Sequence, residues 1–273
     1  MPAKKRNNGL DLSTAYAFTV VPFALCLGAQ AHAVELTAGD WKFTANGNVN
    51  VHYINASCED EATAAAQPVG GGLACVGTGG EDKTSSISNG LLPAALAIGA
   101  STTQKGYDIG VTFGFYPGIS TNDGSPNLGQ GADSRNTALG TTGLDIRQVF
   151  ITIGNDSMGE FMLGRNIGLF GADAILNDMT LPGVGAGNGN YATPSNTSLG
   201  SIGLGYIYTD WLAQINYTTP DFSGLKFTVG IFDPLEPIGT PTGAAVPESS
   251  PGVHGKVAYT GGPVYLSATV ITQ

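Results

Sequence analysis

Residue types that support catalysis are scarce in this chain of 273 residues. Beyond residue 33 the histidines are His52 and His254, and the motifs GxSxG, HExxH, GxGxxG, GxxxxGKS and GxxxxGKT are absent. Nucleophilic catalysis and phosphate binding depend on such groups at defined spacings. The sequence therefore predicts a protein that is not an enzyme and that holds no cofactor or metal.

The overall composition is acidic and has a low density of charge. The chain contains 21 Asp and Glu against 11 Lys and Arg, and charged residues make up only 12% of it. Nucleic acid is therefore not an expected partner, because its recognition needs clustered Lys and Arg. Glycine accounts for 41 residues and strong helix formers are few, which argues against a soluble helical fold.

The first 33 residues have the order of a secretory signal peptide. Residues 4–6 are basic, residues 15–29 carry no charge, and a small-x-small site ends at Ala33. The uncharged run contains Pro22 and is shorter than the ~20 residues that a membrane-spanning helix needs. We expect cleavage after Ala33, with a lipoprotein signal at Cys26 as the alternative.

Two cysteines, Cys58 and Cys75, lie beyond that cleavage site. An exported protein enters an oxidising compartment, so these thiols are predicted to form a disulfide. Metal binding is the alternative, although no CxxC motif or histidine cluster accompanies them.

Apolar and polar residues alternate with a period of two along the rest of the chain. From Trp41 to Tyr53 the odd positions are mainly apolar, and the even positions are polar, beginning with Lys42. Such alternation predicts a strand with one apolar face and one polar face. The nine predicted strands cover residues 40–53, 89–104, 107–117, 143–154, 160–166, 201–217, 225–233, 252–260 and 264–270.

The connections between these strands alternate between long and short. The long ones span residues 54–88, 118–142, 167–200 and 234–251, and the short ones residues 105–106, 155–159, 218–224 and 261–263. This alternation of long and short connections is typical of antiparallel transmembrane β-barrels, which have short periplasmic turns and long external loops. Lipid offers no hydrogen-bond partners, so the strands must pair with one another. A transmembrane β-barrel is therefore predicted, with a secreted β-sandwich or solenoid as the alternative.

One region also resembles a known family. The segment RQVFITIGNDSMGEFMLGRN, at 147–166, is similar to the strand–turn–strand before the third loop of general bacterial outer-membrane porins. The following IGLFGADAILNDMTLPGVG resembles the loop that folds into the porin channel, and residues 206–232 resemble the next hairpin. The resemblance implies a homotrimer in the outer membrane of a Gram-negative cell. It also implies a usual count of sixteen strands and a third loop at about 167–200 that narrows the channel.

The resemblance further implies roles at the constriction of the pore. Arg147 matches a basic lumen position, Asp178 matches a carboxylate of the constriction loop, and Arg165 matches the arginine that begins this loop and braces the wall. Asp173 is a second acid of the same loop. Lys42 lies on the polar face of the first strand and is expected in the lumen.

Two of these roles have structural alternatives. In strand 143–154 both the odd-numbered and the even-numbered positions carry apolar residues. The pattern therefore leaves two positions open for Arg147: it faces the lumen, or it extends towards the membrane interface. Asp178 is a pore carboxylate, an ordinary loop acid or a helix cap. The family's acid after the loop proline is missing here, because Gly183 follows Pro182, and a weaker transverse field is expected.

Nine strands place the two ends of the barrel domain, residues 34–273, on opposite sides of the membrane. Single-chain bacterial barrels have even strand numbers, and the last residues, Val270 to Gln273, lack the terminal aromatic residue that the resemblance implies. The sequence therefore predicts an incomplete barrel, with about nine strands of the sixteen that the resemblance implies.

The function that this pattern favours is a water-filled channel for passive diffusion of small hydrophilic solutes and ions. Net acidity favours a mild cation preference. A substrate-specific channel is one alternative, although the third loop offers only Phe170 and Tyr191 as aromatic residues for solute stacking. A structural or adhesive surface barrel is the other.

Overall fold

The computed structural model describes residues 33–57, 83–90, 94–119, 144–178, 209–235 and 249–273. The elements within them are β1 (Val34–Ala38), β2 (Trp41–Asn48), β3 (His52–Ser57), β4 (Lys83–Ser88), β5 (Ala95–Gln104), β6 (Tyr107–Pro117), β7 (Leu144–Asn155), β8 (Gly159–Ile167), α1 (Ala172–Leu176), β9 (Trp211–Thr218), β10 (Leu225–Phe232), β11 (Gly252–Gly261) and β12 (Val264–Thr272). Within these ranges, no helix is both long enough and apolar enough to cross a membrane.

Ten of the strands form one antiparallel sheet in the order β1-β2-β5-β6-β7-β8-β9-β10-β11-β12. Each strand pairs with its neighbour along the chain, except that β2 pairs with β5 because β3 and β4 form a separate hairpin. The sheet is thus an up-and-down meander with β1 and β12 at its edges. The predicted all-β antiparallel fold class is confirmed.

The two faces of this sheet have opposite chemistry. The outer face is represented by a row in register: Phe43, Ala100, Val111, Ile151, Leu163, Ile215, Ile231 and Val253. The inner face is represented by the adjacent row: Lys42, Ser101, Gly110, Thr152, Met162, Asn216, Gly230, His254 and Ile271. Ile215 and Val253 are 48% and 43% exposed, whereas Asn216 and His254 are only 4% and 1% exposed. This burial is the reverse of a soluble protein and is the pattern of a barrel wall between lipid and a polar interior.

The short turns predicted from sequence join neighbouring strands as expected. Lys105 and Gly106 both have positive φ angles, 52° and 81°, the pair that a two-residue hairpin turn prefers. In the next turn, the Asn155 side chain accepts hydrogen bonds from the backbone N–H groups of Ser157 and Met158, at 3.0 and 2.9 Å. These local hydrogen bonds reverse the chain without longer loops.

The first predicted strand differs from the observed structure. Residues 40–53 divide between β2, which ends at Asn48, and β3, which begins at His52. The side chain of Asn50 bonds the Asn48 side chain at 3.2 Å and the Gly90 backbone N–H at 2.9 Å. Such side-chain bonds compete with the strand ladder. The sheet also contains β1, which the sequence analysis did not assign, so it has ten strands rather than nine.

A second difference concerns the strand predicted to start at residue 89. The strand β5 begins at Ala95, and Asn89 lies outside it, fully buried. Its side chain donates to the Asn50 carbonyl at 3.3 Å and accepts the Ile119 N–H at 3.1 Å. Asn89 therefore links the backbone at Asn50 to the backbone at Ile119, instead of extending the hydrogen-bond ladder of β5.

Several predictions fall outside the described residues. These are the signal peptide, Cys58 and Cys75, residues 201–208 of a predicted strand, and most of the third loop, including Pro182 and Tyr191.

Candidate functional site

The segment that follows β8 is fixed to the start of β9. The Gly168 N–H donates to the Asp210 carbonyl at 2.7 Å, and the Thr209 hydroxyl donates to the Gly168 carbonyl at 3.1 Å. Thr209 is itself buried. These bonds set the direction in which the chain leaves the sheet and enters the five-residue helix α1.

Helix α1 is tied to the inner face of the sheet through Asp173. One carboxylate oxygen, Oδ1, accepts a hydrogen bond from Lys256 Nζ at 2.7 Å. The other, Oδ2, accepts from the Tyr265 hydroxyl at 3.0 Å and from the Ser267 hydroxyl at 2.5 Å. Lys256 lies on β11 and the two hydroxyls lie on β12, so three donors from the far end of the sheet hold one loop carboxylate.

The environment of Asp173 stabilises its charged form. Burial alone raises the pKa of this carboxyl, but the hydrogen bonds from Lys256, Ser267 and Tyr265 outweigh it and hold the pKa below its ordinary value. The Lys256 ammonium also lies 5.8 Å from the centre of the Tyr265 ring. The anchor is therefore ionic at neutral pH and remains so into mildly acidic solution.

Arg147 occupies the inner face because of a β-bulge in β7. Gly114 pairs with Gln148 and Phe115 pairs with Ile146, so Arg147 has no residue opposite it. One extra residue shifts the alternation of side chains by one position. Arg147 is consequently on the inner face even though Val149 and Ile151 are exposed on the outer face. The bulge explains why the outward apolar positions of β7 are even at Leu144 and Ile146 but odd from Val149 onward, whereas Phe150 is an apolar residue of the inner face.

A cluster of polar and aromatic groups surrounds the Arg147 side chain. Its Nε donates to Asp145 Oδ2 at 2.5 Å. Its guanidinium carbon lies 5.2 Å from the Tyr116 ring centre and 5.8 Å from that of Trp211, in cation–π geometry. The Tyr116 hydroxyl in turn donates to Gln148 at 2.6 Å. The Arg147 guanidinium is therefore buried and lies beside the Asp145 carboxylate.

The other predicted site residues lie in different places. Lys42 is on the inner face, where it pairs with Glu35 at 2.8 Å, and both side chains are about half exposed. Asp178 follows α1, and its N–H donates to the Ile175 carbonyl at 3.1 Å. Arg165 pairs in register with Val149 and Ala213, which places it on the outer face. The structure thus separates Arg165 from the inner-face residues.

Sequence analysis did not single out Lys256, Tyr265 and Ser267. The alternation at 252–260 and 264–270 was sufficient to place these residues on a polar face. The contact with Asp173 joins residues 83 to 94 positions apart in sequence. Local periodicity contains no information about contacts over such a separation.

Comparison with known protein families gives a match. The family model described as Gram-negative porin matches residues 13–273. The matched range includes every strand described above and helix α1. No curated protein matches this chain.

Proposed function

Because the chain belongs to the Gram-negative porins, which are outer-membrane channels, we propose that it passes small hydrophilic solutes and ions by passive diffusion, with a mild preference for cations. The observation that carries this proposal is the attachment of α1 to the inner face through Asp173. A loop segment held against the polar face narrows the water-filled space beside it. Outer-membrane lipid is the partner of the apolar face.

The charges of the inner face occur largely as close pairs. Arg147 lies against Asp145, and Lys256 lies against Asp173. A passing ion experiences such a pair as a dipole, whose field falls off faster than that of a single charge. We therefore assign a weak transverse field to the constriction, and the net acidity of the chain supplies the cation preference.

In this proposal, Asp173 and Asp178 belong to the constriction loop, and Arg147 and Lys42 belong to the wall of the lumen. The outer-face position of Arg165 supports contact with the membrane interface, where a long side chain keeps its charge in water. Arg165 is therefore not included among the residues of the constriction.

Ion conductance in planar lipid bilayers tests the channel directly. Stable conductance steps with weak selectivity are the expected result. Steps blocked by one class of solute would favour a substrate-specific channel instead, and an absence of steps would favour a structural or adhesive barrel.

Asp178→Asn tests the selectivity assignment. The variant should have a lower cation preference, measured as the reversal potential across a salt gradient. Asp156→Asn is the matched control, since Asp156 is exposed in the short turn between β7 and β8. Equal reversal potentials for the wild type and Asp178→Asn would remove Asp178 from the constriction.

We also propose cleavage after Ala33, a Cys58–Cys75 disulfide and assembly as a homotrimer. The export-type amino terminus supports the cleavage, and the predicted oxidising compartment supports the disulfide. The family resemblance supports the trimer. Intact mass of the membrane-inserted protein, with and without reduction, tests the first two. Chemical crosslinking in detergent should give a trimer band.

A further inference from the structure

We infer that His254 is a positioning residue for the constriction loop, which it holds through a chain of side-chain hydrogen bonds as long as its ring is neutral. This inference rests on the proposed function, because it concerns the loop that narrows the channel. His254 lies on β11, whereas the loop begins after β8, and two strands, β9 and β10, lie between them.

The chain of hydrogen bonds starts at the end of β8. Gln214 Nε2 donates to the carbonyl oxygens of Asn166 and Ile167, at 2.8 and 3.0 Å. Asn216 Nδ2 donates to Gln214 Oε1 at 2.8 Å, and Asn216 Oδ1 lies 2.7 Å from His254 Nε2. Side chains from β9 thus connect the histidine to the last residues before the loop.

The direction of every bond in this chain is fixed. Carbonyl oxygens only accept hydrogen bonds, so Gln214 must point its amide nitrogen at them and its oxygen at Asn216. Asn216 then presents its own oxygen to His254, which must donate from Nε2. The neutral ring therefore carries its proton on Nε2, and Nδ1 has a free lone pair.

The packing around the ring leaves little freedom for another arrangement. His254 is almost fully buried, and its ring centre lies 5.1 Å from that of Phe232. Gly230 provides the space for Asn216, since a methyl group at this position would overlap Asn216 Oδ1. Gly252 likewise provides space for the Phe232 ring. Two glycines thus accommodate the groups that contact the histidine.

The other ring nitrogen of His254, Nδ1, makes this arrangement sensitive to protonation. Among the residues that the structure describes, His254 Nδ1 is buried and has no hydrogen-bond partner. A second proton would create a buried N–H without an acceptor, and an unpaired buried donor is costly. The charged ring would then have to admit water or turn, and either movement disrupts the bond to Asn216.

The surrounding charges give the protonated ring no compensation. The inner-face neighbours are Asn216 from β9, Gly230 and Phe232 from β10, and Ile271 from β12, all uncharged. Lys256 is next on the inner face of β11 itself, and it is a cation already paired with Asp173 of α1. Protonation of His254 therefore adds charge of the same sign as its closest charged neighbour on the strand.

The consequence is an acid response that originates at the base of the loop. The cost of that unpaired donor makes His254 harder to protonate than a free histidine, which gains its proton near pH 6.5. The Asp173 anchor persists into acid because hydrogen bonds hold its pKa below the ordinary value. Between about pH 7 and about pH 4, the chain from His254 to Ile167 should loosen, and loss of this response in His254→Gln separates it from titration of the Asp173 anchor. The ratio of closed to open channels should rise about fivefold or more, which corresponds to one unpaired buried donor.

Single-channel recordings of the full chain at these two pH values test the inference. His254→Gln is the principal variant, because a glutamine amide can donate to Asn216 but does not titrate. It should lose the acid response that the wild type shows. His52→Gln is the matched control, since it removes the other histidine beyond residue 33 and should retain the response.

A second measurement does not depend on the folding of His254→Gln. Nitrogen NMR of His52→Gln, labelled at histidine, reports directly which ring nitrogen of His254 carries the proton. A bare Nδ1 near pH 7 is the expected result. A protonated Nδ1 at that pH, or an acid response that persists in His254→Gln, would overturn the inference. If the wild type forms no channels at any pH, the proposed function fails, and the NMR result still decides the state of His254.

Discussion

Replacement of Lys256 by methionine tests the attachment of α1 to the wall. The side chains of Lys256 and Asp173 are only 19% and 23% exposed. Methionine keeps most of the apolar stem and removes the ammonium group that lies 2.7 Å from Asp173 Oδ1. Of the donors that the described residues supply, the Asp173 carboxylate then keeps the hydroxyl groups of Tyr265 and Ser267.

The expected loss follows from the lost bond. A hydrogen bond between charged groups contributes about 1.5–3 kcal/mol, so about 2 kcal/mol is a reasonable central value for this site. That loss corresponds to a change of about 30-fold in the ratio of anchored to released loop. Lys256→Met should therefore give noisier open channels and closure at a lower voltage than the wild type.

The controls separate anchoring from simple loss of charge. Lys226→Met also removes one cation from the inner face, on β10, but Lys226 pairs in register with Ala258 and does not bond Asp173. The double variant Lys256→Met with Asp173→Asn should be closer to the wild type than Lys256→Met alone, because no unpaired carboxylate remains buried. Equal noise and closure voltage in Lys256→Met and Lys226→Met would refute the anchoring role.

Three further predictions concern stability and pH. Arg147→Met should lower the free energy of unfolding by about 3 kcal/mol, because it leaves Asp145 beside the cluster without its cation; urea unfolding in detergent measures this, and an unchanged midpoint would contradict it. The Asp173 anchor contributes stability above the ordinary pKa of the carboxyl, and this stability is lost as the pH falls through the lower pKa of the folded state. Loop closure should therefore show a transition below about pH 4 that is absent in Asp173→Asn. On the outer face, Ile215→Lys should cost about 2–4 kcal/mol in lipid vesicles, whereas Thr228→Lys on the inner face should cost much less, and equal costs would contradict the assignment of faces.

Much of the fold follows from local periodicity. The alternation predicts β6, β10 and β12 well, and Phe113, Phe227 and Val229 are exposed on the outer face as expected. Period-two patterns succeed here because lipid and water impose opposite requirements on successive residues. The short turns follow from the same alternation, because they are the gaps of a few residues between successive predicted strands.

The strand β1 lies beyond what this periodicity can predict. It has five residues, Val34–Ala38, and follows directly after the expected cleavage site. Its five pairs with β2 depend on the turn at Gly39, whose φ is +62°. A strand this short contains too few alternations to differ from irregular chain.

The candidate site was predicted only in part. Periodicity assigns Lys42 to the polar face of the first strand, and in the sheet Lys42 pairs in register with Ser101. The position of Arg147 was ambiguous because the bulge reverses the parity of β7, and bulges have no strong local signal. The partners of Asp173 depend on how the third loop returns to β11 and β12, a contact that tertiary structure alone determines.

The bulge in β7 has a consequence for how this strand tolerates mutation. Its residues form two reading frames: outward positions are even up to Ile146 and odd from Val149 onward. Deletion of the extra residue at the junction would merge the frames into one regular alternation, and both halves of the strand would keep their apolar side chains on the outer face. Related chains that lack the extra residue should accordingly show one unbroken alternation through this strand, so alignments of this family should place a one-residue gap beside Arg147.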